Sequence, residues 1–260
     1  MARTEAGPWQ AARRGTSLLA AASALGTCAW GGWKLVGLLL RVDGAKWATV
    51  ALSLLATTGR TALALVLAVL WTVPVGILLG RSQVWSRRMQ PVVQTMASFP
   101  APMLYPIVTG ALLVFHVPFA LVAAILMFLG AQWYVLFNVL AGASAIPHDL
   151  DEASDVYRIG GRQRWTTLYL PSVFPFLVTG LVTAAGGAWN ASIVAETLVY
   201  RGTTLETFGL GTLITKATRD GDFPLLTAGV VTMSVALVAL NRTVWRRLYR
   251  LAETRFALNR

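Results

Sequence analysis

The apolar residues of this chain are gathered into six long runs, and this grouping constrains the fold more than any other feature. A helix needs about 20 mostly apolar residues to cross the hydrocarbon core of a bilayer. Runs of about that length are separated by polar segments, and they occupy residues 17–40, 61–79, 92–115, 119–140, 171–199 and 225–245. The pattern predicts an all-α, polytopic membrane protein with six transmembrane helices.

The composition excludes most other classes of protein. Of the 260 residues, 56% are hydrophobic and 13% are charged, whereas a soluble domain carries about 25% charged residues. The net charge of +11 would suggest nucleic-acid binding in a soluble protein. Here the basic residues lie between apolar runs, as expected for cytoplasmic loops and contacts with anionic headgroups. The single Cys28 excludes a disulfide scaffold.

Two of the six runs allow more than one interpretation. Residues 92–115 contain Pro100, Pro102 and Pro106, which a straight helix does not accommodate. That span either begins after Pro106 or has a broken first part, and a five-span variant is the main rival. Residues 17–40 would also suit a signal peptide, but the run is long for one and lacks a small-residue cleavage site before a soluble domain. We therefore expect a retained anchor.

The distribution of Lys and Arg orients the chain, because cytoplasmic loops are enriched in them. With a cytoplasmic N terminus, the inner segments carry 15 basic residues and the outer segments carry 6. We therefore expect a cytoplasmic N-terminal segment at 1–16, a transmembrane domain at 17–245 and a cytoplasmic basic tail at 246–260. Both termini would face the cytoplasm.

The polar segment at 145–171, between the fourth and fifth runs, is the most informative loop. Pro147 followed by acidic residues indicates a helix start, because acids favour the positive end of the helix dipole. Apolar residues then recur at helical spacing, and Gly160-Gly161 ends the helix. A second short helix is expected at 162–169. The first helix would lie on lipid headgroups or dock on a protein.

Part of this loop resembles the EAA loop of bacterial ABC importer permeases. That family has Glu-Ala-Ala, three residues, Gly, nine residues and Ile-x-Leu-Pro. Glu152, Ala153, Leu170 and Pro171 match this pattern, and Ser154 and Leu168 are mild substitutions. Arg158 replaces the family's glycine, and Gly160 and Gly161 follow it, which predicts a displaced turn. Residues 179–196 also resemble the branch that transports nitrate, sulfonate or taurine.

The resemblance implies a type I importer permease whose loop 145–171 contains a coupling helix seated in a separate ATP-binding subunit. The residues that would make this coupling contact are Asp151, Glu152, Ala153, Ser154, Tyr157, Arg158, Gly160, Gly161, Leu170 and Pro171. It further implies two ATP-binding subunits, a second permease subunit (the same chain or a sister) and an external solute-binding protein, at a bacterial inner membrane. The solute would be a small anion.

The chain lacks the motifs of an enzyme. No Gly-x-x-x-x-Gly-Lys-Ser/Thr is present, so a P-loop for ATP is absent from the sequence. His116, His148 and Cys28 are too few and too scattered for a metal site. We expect no cofactor in this chain, with ATP and Mg²⁺ bound by the partner subunit.

The fifth run contains small residues spaced four, three and four apart, which let another helix approach closely. They are Gly180, Ala184, Gly187 and Ala191, and we expect them to serve helix packing or a dimer contact. Polar groups within a span usually face a cavity or a partner. Asn190 is therefore a candidate for the translocation pathway, and Glu196 for a structural or gating role, at the outer mouth or paired with Arg201.

The outer segment at 200–224 is polar, and its residues 204–211 are interpreted as an amphipathic turn or short helix. It would contact an external solute-binding protein or form a cap over the bundle. A membrane scaffold and a secondary transporter are the alternative classes of function. A six-span scaffold without transport activity would need no coupling helix, whereas a secondary transporter would show an internal repeat or a pair of broken helices, neither of which is evident.

Overall fold

The computed structural model describes residues 8–256, and most of these residues are helical. The helices are α1 (Pro8–Leu39), α2 (Gly44–Arg81), α3 (Gln83–Ser98), α4 (Tyr105–Val114), α5 (Phe119–Ser144), α6 (His148–Val156), α7 (Gly161–Arg164), α8 (Leu170–Ala195), α9 (Leu210–Asp220), α10 (Phe223–Leu240) and α11 (Arg246–Arg255). A 3₁₀ turn at Ala101–Leu104 precedes α4, and π-helical turns at Trp165–Tyr169 and Asn241–Trp245 join α7 to α8 and α10 to α11.

Four helical segments of the described chain are long and apolar enough to cross a membrane: Gly44–Arg81, Phe119–Ser144, Gly161–Ala195 and Phe223–Arg255. A fifth is obtained if Gln83–Ser98 and Ala101–Val114, which are bent by 79°, form one broken span. The prediction of a polytopic helical membrane protein is thus confirmed. The remaining predicted span, residues 17–40, lies in α1, outside this set, so the count of six stays a prediction.

Helix α5 is the centre of the bundle, and both α2 and α8 pack along it. The contact with α2 requires a small residue, because a Cβ on Gly80 would lie 2.5 Å from the Cβ of Ala143. On the α8 side, a Cβ on Gly180 would lie 3.0 Å from the Cβ of Asn138. Small residues therefore bring the three helices together, as is common in membrane bundles.

The proline-rich third segment is broken, as one of the two sequence interpretations requires. α3 ends at Ser98, and Pro100 precedes the 3₁₀ turn that leads into α4. Pro106 lies in the first turn of α4, where its missing N–H has no helical partner to lose. Three prolines therefore divide the segment instead of bending one continuous helix.

Helix α2 begins at Gly44, 17 residues before the predicted apolar run at 61–79. The Asp43 carboxylate caps this start by accepting a hydrogen bond from the Gly44 N–H over 2.7 Å. Residues with hydroxyl groups lower the hydropathy of this first part of α2, but such a hydroxyl can donate a hydrogen bond to a carbonyl of its own helix. The Thr58 hydroxyl, for example, donates to the Leu54 carbonyl over 2.7 Å. Arg60, one residue before the predicted second span, therefore lies within a helix.

Span five ends at Ala195, and a β-hairpin follows that the all-α prediction did not include. β1 (Thr197–Tyr200) pairs with β2 (Thr203–Glu206) in antiparallel register. Arg201 and Gly202 form the connection, with φ values of 49° and 80°. Positive φ at both central residues is the geometry of a type I′ turn, which suits the twist of a hairpin. The expectation of a turn or short helix at 204–211 is therefore wrong for its first residues.

The last helical segment continues beyond the predicted sixth span. α11 returns to the bundle, where Ala252 is buried and the Phe256 ring lies 4.9 Å from the Phe174 ring of α8, centroid to centroid. The described part of the predicted basic tail is therefore helical and packed against α8. Residues 257–260 lie outside the described residues.

Candidate functional site

Helix α6 is a short amphipathic helix between two candidate spans, as the loop pattern predicts. It follows Pro147 and carries two acidic residues in its first turn. Glu152 and Ala153 are exposed, and Val156 and Tyr157 are 79% and 78% exposed. Two large apolar side chains are thus presented to the outside by a helix whose other face is held against the bundle.

The opposite side of α6 is fixed by Ser154 and Asp151. Ser154 is buried, and its hydroxyl donates to the Asp151 carbonyl over 2.7 Å. The Asp151 carboxylate points back into the protein, where it pairs with Arg81 at the end of α2 and with Arg164 of α7. Asp151, one of the predicted coupling residues, is therefore occupied by internal ion pairs.

We call Arg81, Asp151, Arg164 and Tyr169 the α6 cluster. An Asp151 carboxylate oxygen lies 3.0 Å from an Arg164 guanidinium nitrogen and accepts a hydrogen bond from the Tyr169 hydroxyl over 3.2 Å. Both guanidinium groups lie 5.7 Å from the centroid of the Tyr169 ring. Arg81 also donates to the Ile146 carbonyl over 2.9 Å. Sequence reasoning missed these three partners, although Arg81 is the charge that closes the second apolar run.

The turn after α6 lies at Arg158, so the predicted displacement of the turn is wrong. Arg158 has φ of 54°, in the left-handed region that favours glycine. The Ile159 N–H donates to the Ser154 carbonyl over 2.8 Å, which closes a Schellman-type helix end. The position at which the importer permeases have glycine therefore keeps the backbone conformation of glycine, although the residue is arginine.

The remaining coupling candidates lie beyond this turn. Gly160 precedes α7, and Gly161, with φ of 53°, is its first residue. Leu170 and Pro171 begin α8, and the π-helical turn connects α7 to it without a break. The expected separate helix at 162–169 is thus the first part of the Gly161–Ala195 segment.

A second charged cluster lies at the opposite end of α8, around Glu196. This carboxylate is fully buried and accepts hydrogen bonds from Arg60 over 2.5 Å, from the Thr57 hydroxyl over 2.7 Å and from the Gly211 N–H over 2.8 Å. Arg60 also donates to the Phe208 carbonyl. We call Thr57, Arg60, Glu196 and Gly211 the hairpin cluster.

The predicted pairing of Glu196 with Arg201 is wrong. The hairpin turn places Arg201 at its tip, where its guanidinium lies 5.4 Å from the Tyr200 ring. The partner in the structure is Arg60, which lies in α2 just before the predicted second span. A buried carboxylate within a candidate span was the signal that a cation had to lie nearby.

The small residues of α8 and its polar residues lie on different faces. Gly180, Ala184 and Gly187 face α5 of the same chain, since Ala184 is fully buried and a Cβ on Gly187 would lie 3.3 Å from the Tyr134 ring. Ala191 is partly buried against the same core. Asn190 instead shares an exposed stripe with Thr179, Thr183 and Gly186.

The exposed stripe of α2 differs from that of α8. Large apolar residues line it, namely Leu52, Leu55, Leu63, Val66 and Leu70. Lipid tails favour such a surface, whereas a polar stripe within a span favours a protein partner or a water-filled cavity. The two exposed faces of the bundle are therefore suited to different surroundings.

A cavity of about 570 Å³ opens beside the hairpin and α9. Ion pairs lie at its edge, with Lys216 and Glu206 at 2.5 Å and Lys46 and Asp222 at 2.6 Å. The hydrogen bond from Lys46, together with one from the Leu225 N–H, lowers the pKa of Asp222 below its usual value. Among the described residues, no group of three or more His, Cys, Asp or Glu could hold a metal ion.

Relatives with assigned names cover part of the chain. The nitrate import permease protein NrtB of Synechococcus elongatus is 29% identical over 57% of this chain and 52% of its own length. The bicarbonate transport system permease protein CmpB of Synechocystis sp. is 30% identical over 55% and 49%. The taurine transport system permease protein TauC of Escherichia coli is 27% identical over 76% and 66%. The chain thus spans about half the length of the first two relatives.

A structural comparison and a family match point to the same group of proteins as these relatives. A chain of the inward-facing MetNI methionine ABC transporter superposes with a TM-score of 0.65 at 17% identity, over 81% of this chain and 99% of that one. The family described as binding-protein-dependent transport system inner membrane component matches residues 72–257, well over half of the sequence. This protein therefore belongs to the family of inner membrane components of binding-protein-dependent transport systems.

Proposed function

We propose that this chain is the membrane-spanning subunit of an ABC importer for a small oxyanion or sulfonate of the nitrate, bicarbonate or taurine type. The family supports a transport role, and the names of the relatives support the class of solute. The chain itself performs no catalysis. ATP and Mg²⁺ bind to a separate subunit, whose closure drives the change of access.

The exposed face of α6 carries this proposal. Val156 and Tyr157 supply apolar contact area, and the small Ala153 lets a partner approach the helix closely. Glu152, on the same exposed surface, supplies a carboxylate for a basic or hydrogen-bonding group of the ATP-binding subunit. An amphipathic helix laid into a groove is a common mode of protein recognition.

The assembly follows from the two exposed faces of the bundle. The polar stripe of α8, with Asn190, faces a second permease subunit across the translocation pathway, and the apolar stripe of α2 faces lipid. Two ATP-binding subunits hold the two copies of α6 in the cytoplasm. The hairpin end then faces outward, toward a solute-binding protein that delivers the solute.

Charge reversal on α6 tests the docking role. Glu152→Lys should abolish co-purification of the ATP-binding subunit, because a repulsive charge at an interface excludes a complementary partner. Glu253→Lys, at an exposed position on α11, is the matched control and should leave the complex intact. Retention of the complex, with normal ATP hydrolysis, in Glu152→Lys would remove the role assigned to α6.

The class of solute is tested on the partner that selects it. The solute-binding protein of the same system should bind nitrate, bicarbonate or a sulfonate such as taurine in titration calorimetry. Methionine is the control, since the structural similarity to the methionine transporter extends to the fold alone. Binding of methionine and of none of these three solutes would assign a different solute to the same fold.

A further inference from the structure

Helix α2 joins the two charged clusters through two arginines. Arg60 and Arg81 are 21 residues apart, which places their Cα atoms roughly 30 Å apart along a helix with a rise of 1.5 Å per residue. The hydrocarbon core of a bilayer is also about 30 Å thick. One arginine holds Glu196, just after α8, and the other holds Asp151 in α6, before α8 begins.

At the hairpin end, α2 fixes the start of α9. The Thr57 hydroxyl accepts a hydrogen bond from the Leu210 N–H over 2.8 Å, while Arg60 donates to the Phe208 carbonyl just before α9. The Glu196 carboxylate accepts the next N–H, that of Gly211, at the positive end of the helix dipole. The position of α9 is therefore set by side chains of α2 and by the carboxylate that Arg60 holds.

At the other end, α2 fixes α6. Arg81 pairs with Asp151 and also donates to the Ala143 and Ile146 carbonyls, over 3.3 and 2.9 Å, at the end of α5 and just after it. These contacts connect the last turn of α2 to both sides of the short connection that leads into α6. A displacement of α6 therefore acts directly on the end of α2.

The body of α2 between these contacts is held against α5 by close backbone approach. A Cβ on Gly76 would lie 2.6 Å from a methyl carbon of Val139, and one on Gly80 would lie 2.7 Å from the Leu140 carbonyl oxygen. Interiors packed this closely move as units rather than deform continuously. Pro74 removes one backbone hydrogen bond of α2, but the close contacts of Gly76 and Gly80 with α5 hold the helix next to it, so a push at one end is transmitted along it.

We propose that α2 is the rigid link that carries the movement of α6 to α9, with Arg81 at its last residue and Thr57 in its first half as positioning residues. The inference rests on the proposed function, in which an ATP-binding subunit moves α6. Helix α9 then changes its position at the outer end of the bundle whenever the nucleotide state changes at the inner end.

Hydrogen–deuterium exchange in the assembled transporter, with and without ATP, tests this link without knowledge of the solute. In the natural protein, ATP should change amide exchange in both α6 and α9. In Arg81→Gln, which removes the charge but keeps hydrogen-bond donors, α6 should still respond and ATP hydrolysis should continue. The response of α9 should fall at least about fivefold, the lower range of coupling between distant sites. Arg81→Lys should restore most of it.

A control variant and a second test variant complete the experiment. Arg88→Gln, at an exposed position on α3, should behave as the natural protein does. Thr57→Val, which removes only the hydroxyl that contacts α9, should also lower the response of α9 to ATP. It provides the test if Arg81→Gln fails to assemble. An undiminished α9 response in either assembled variant overturns the link. Failure of the natural chain to bind any ATP-binding subunit overturns the proposed function, and the link with it.

Discussion

The two charged clusters that α2 connects both hold an acidic side chain by arginine, but they differ in burial. In the hairpin cluster the Glu196 carboxylate is fully buried and its charge is matched by one arginine. In the α6 cluster the Asp151 carboxylate is 17% exposed, and two arginines share it. A buried pair is costly to break because the remaining charge stays without water or a partner. A partly exposed pair is less costly to break, because water can reach the charge that remains.

This difference indicates different roles for the two clusters. The hairpin cluster fixes one arrangement of α2, the hairpin and α9, since each of its members has a partner within the bundle. The α6 cluster can rearrange, because Arg164 also pairs with the 70% exposed Asp155 over 2.8 Å. This rearrangement concerns the exposed rim at Arg164 and Asp155, while the pair of Arg81 and Asp151 keeps α6 attached to the end of α2.

The largest effect is expected from removal of the buried carboxylate. Glu196→Leu leaves Arg60 without its counter-ion and should lower the free energy of unfolding by about 3–5 kcal/mol, measured by denaturant titration in detergent. The double variant Arg60→Met with Glu196→Leu removes both charges and should recover part of this loss. A loss below about 1 kcal/mol in the single variant is the value usual for exposed pairs. It would contradict the claim that the buried pair is costlier to break than the α6 cluster.

An added methyl group tests how tightly the hairpin cluster is packed. A Cβ on Gly211 would lie 2.5 Å from the Ser192 carbonyl oxygen, so Gly211→Ala should lower the free energy of unfolding by about 1–3 kcal/mol through overpacking. Gly59→Ala, where no atom lies within 4 Å of the new Cβ, is the control and should cost nothing. Equal stability of the two variants in the same titration would contradict a rigid hairpin cluster.

The end of α6 should gain stability from glycine. Arg158 has a positive φ of 54°, and the left-handed conformation costs roughly 1–2 kcal/mol for residues other than glycine. Arg158→Gly should therefore raise the free energy of unfolding by about 1 kcal/mol, less the entropy that glycine adds to the unfolded chain. Arg162→Gly, inside α7, is the control and should not stabilise. A destabilised Arg158→Gly would mean that the arginine side chain makes a contact of its own.

The smallest effect is expected at the rim of the α6 cluster. Asp155→Asn removes the exposed partner of Arg164 and should change the free energy of unfolding by less than about 1 kcal/mol. High salt should have the same small effect on the natural protein, since exposed pairs are screened. A loss as large as that of Glu196→Leu would show that the two clusters are equally rigid.

Much of the fold could be predicted from hydropathy, because every helix that crosses a bilayer must be long and mostly apolar. The ends of α5, the broken third segment and the helix after Pro147 were all predictable from apolar runs and prolines. The start of α2 was not, because the hydroxyls of residues such as Thr58 lower the hydropathy while bonding to their own helix. The hairpin was missed for a related reason, since four-residue strands carry no run of comparable length.

The candidate site shows where a local pattern is insufficient. The exposed face of α6 could be predicted because helical spacing alone defines it. The partners of Asp151 and Glu196 could not, because Arg81 lies 70 residues before the first, and Arg60 136 residues before the second. Only the packing of α2 and α8 against α5 brings these charges together.

The most direct test of the account is the position of the ATP-binding subunit on this chain. With Cys28 replaced by serine, a cysteine introduced at the exposed Tyr157 and a short cysteine-to-lysine cross-linker should give an adduct with the ATP-binding subunit. A cysteine at Arg201, at the tip of the hairpin, should give none. An adduct from the Arg201 position and none from Tyr157 would place the ATP-binding subunit at the wrong end of the bundle and contradict the importer mechanism proposed for α6.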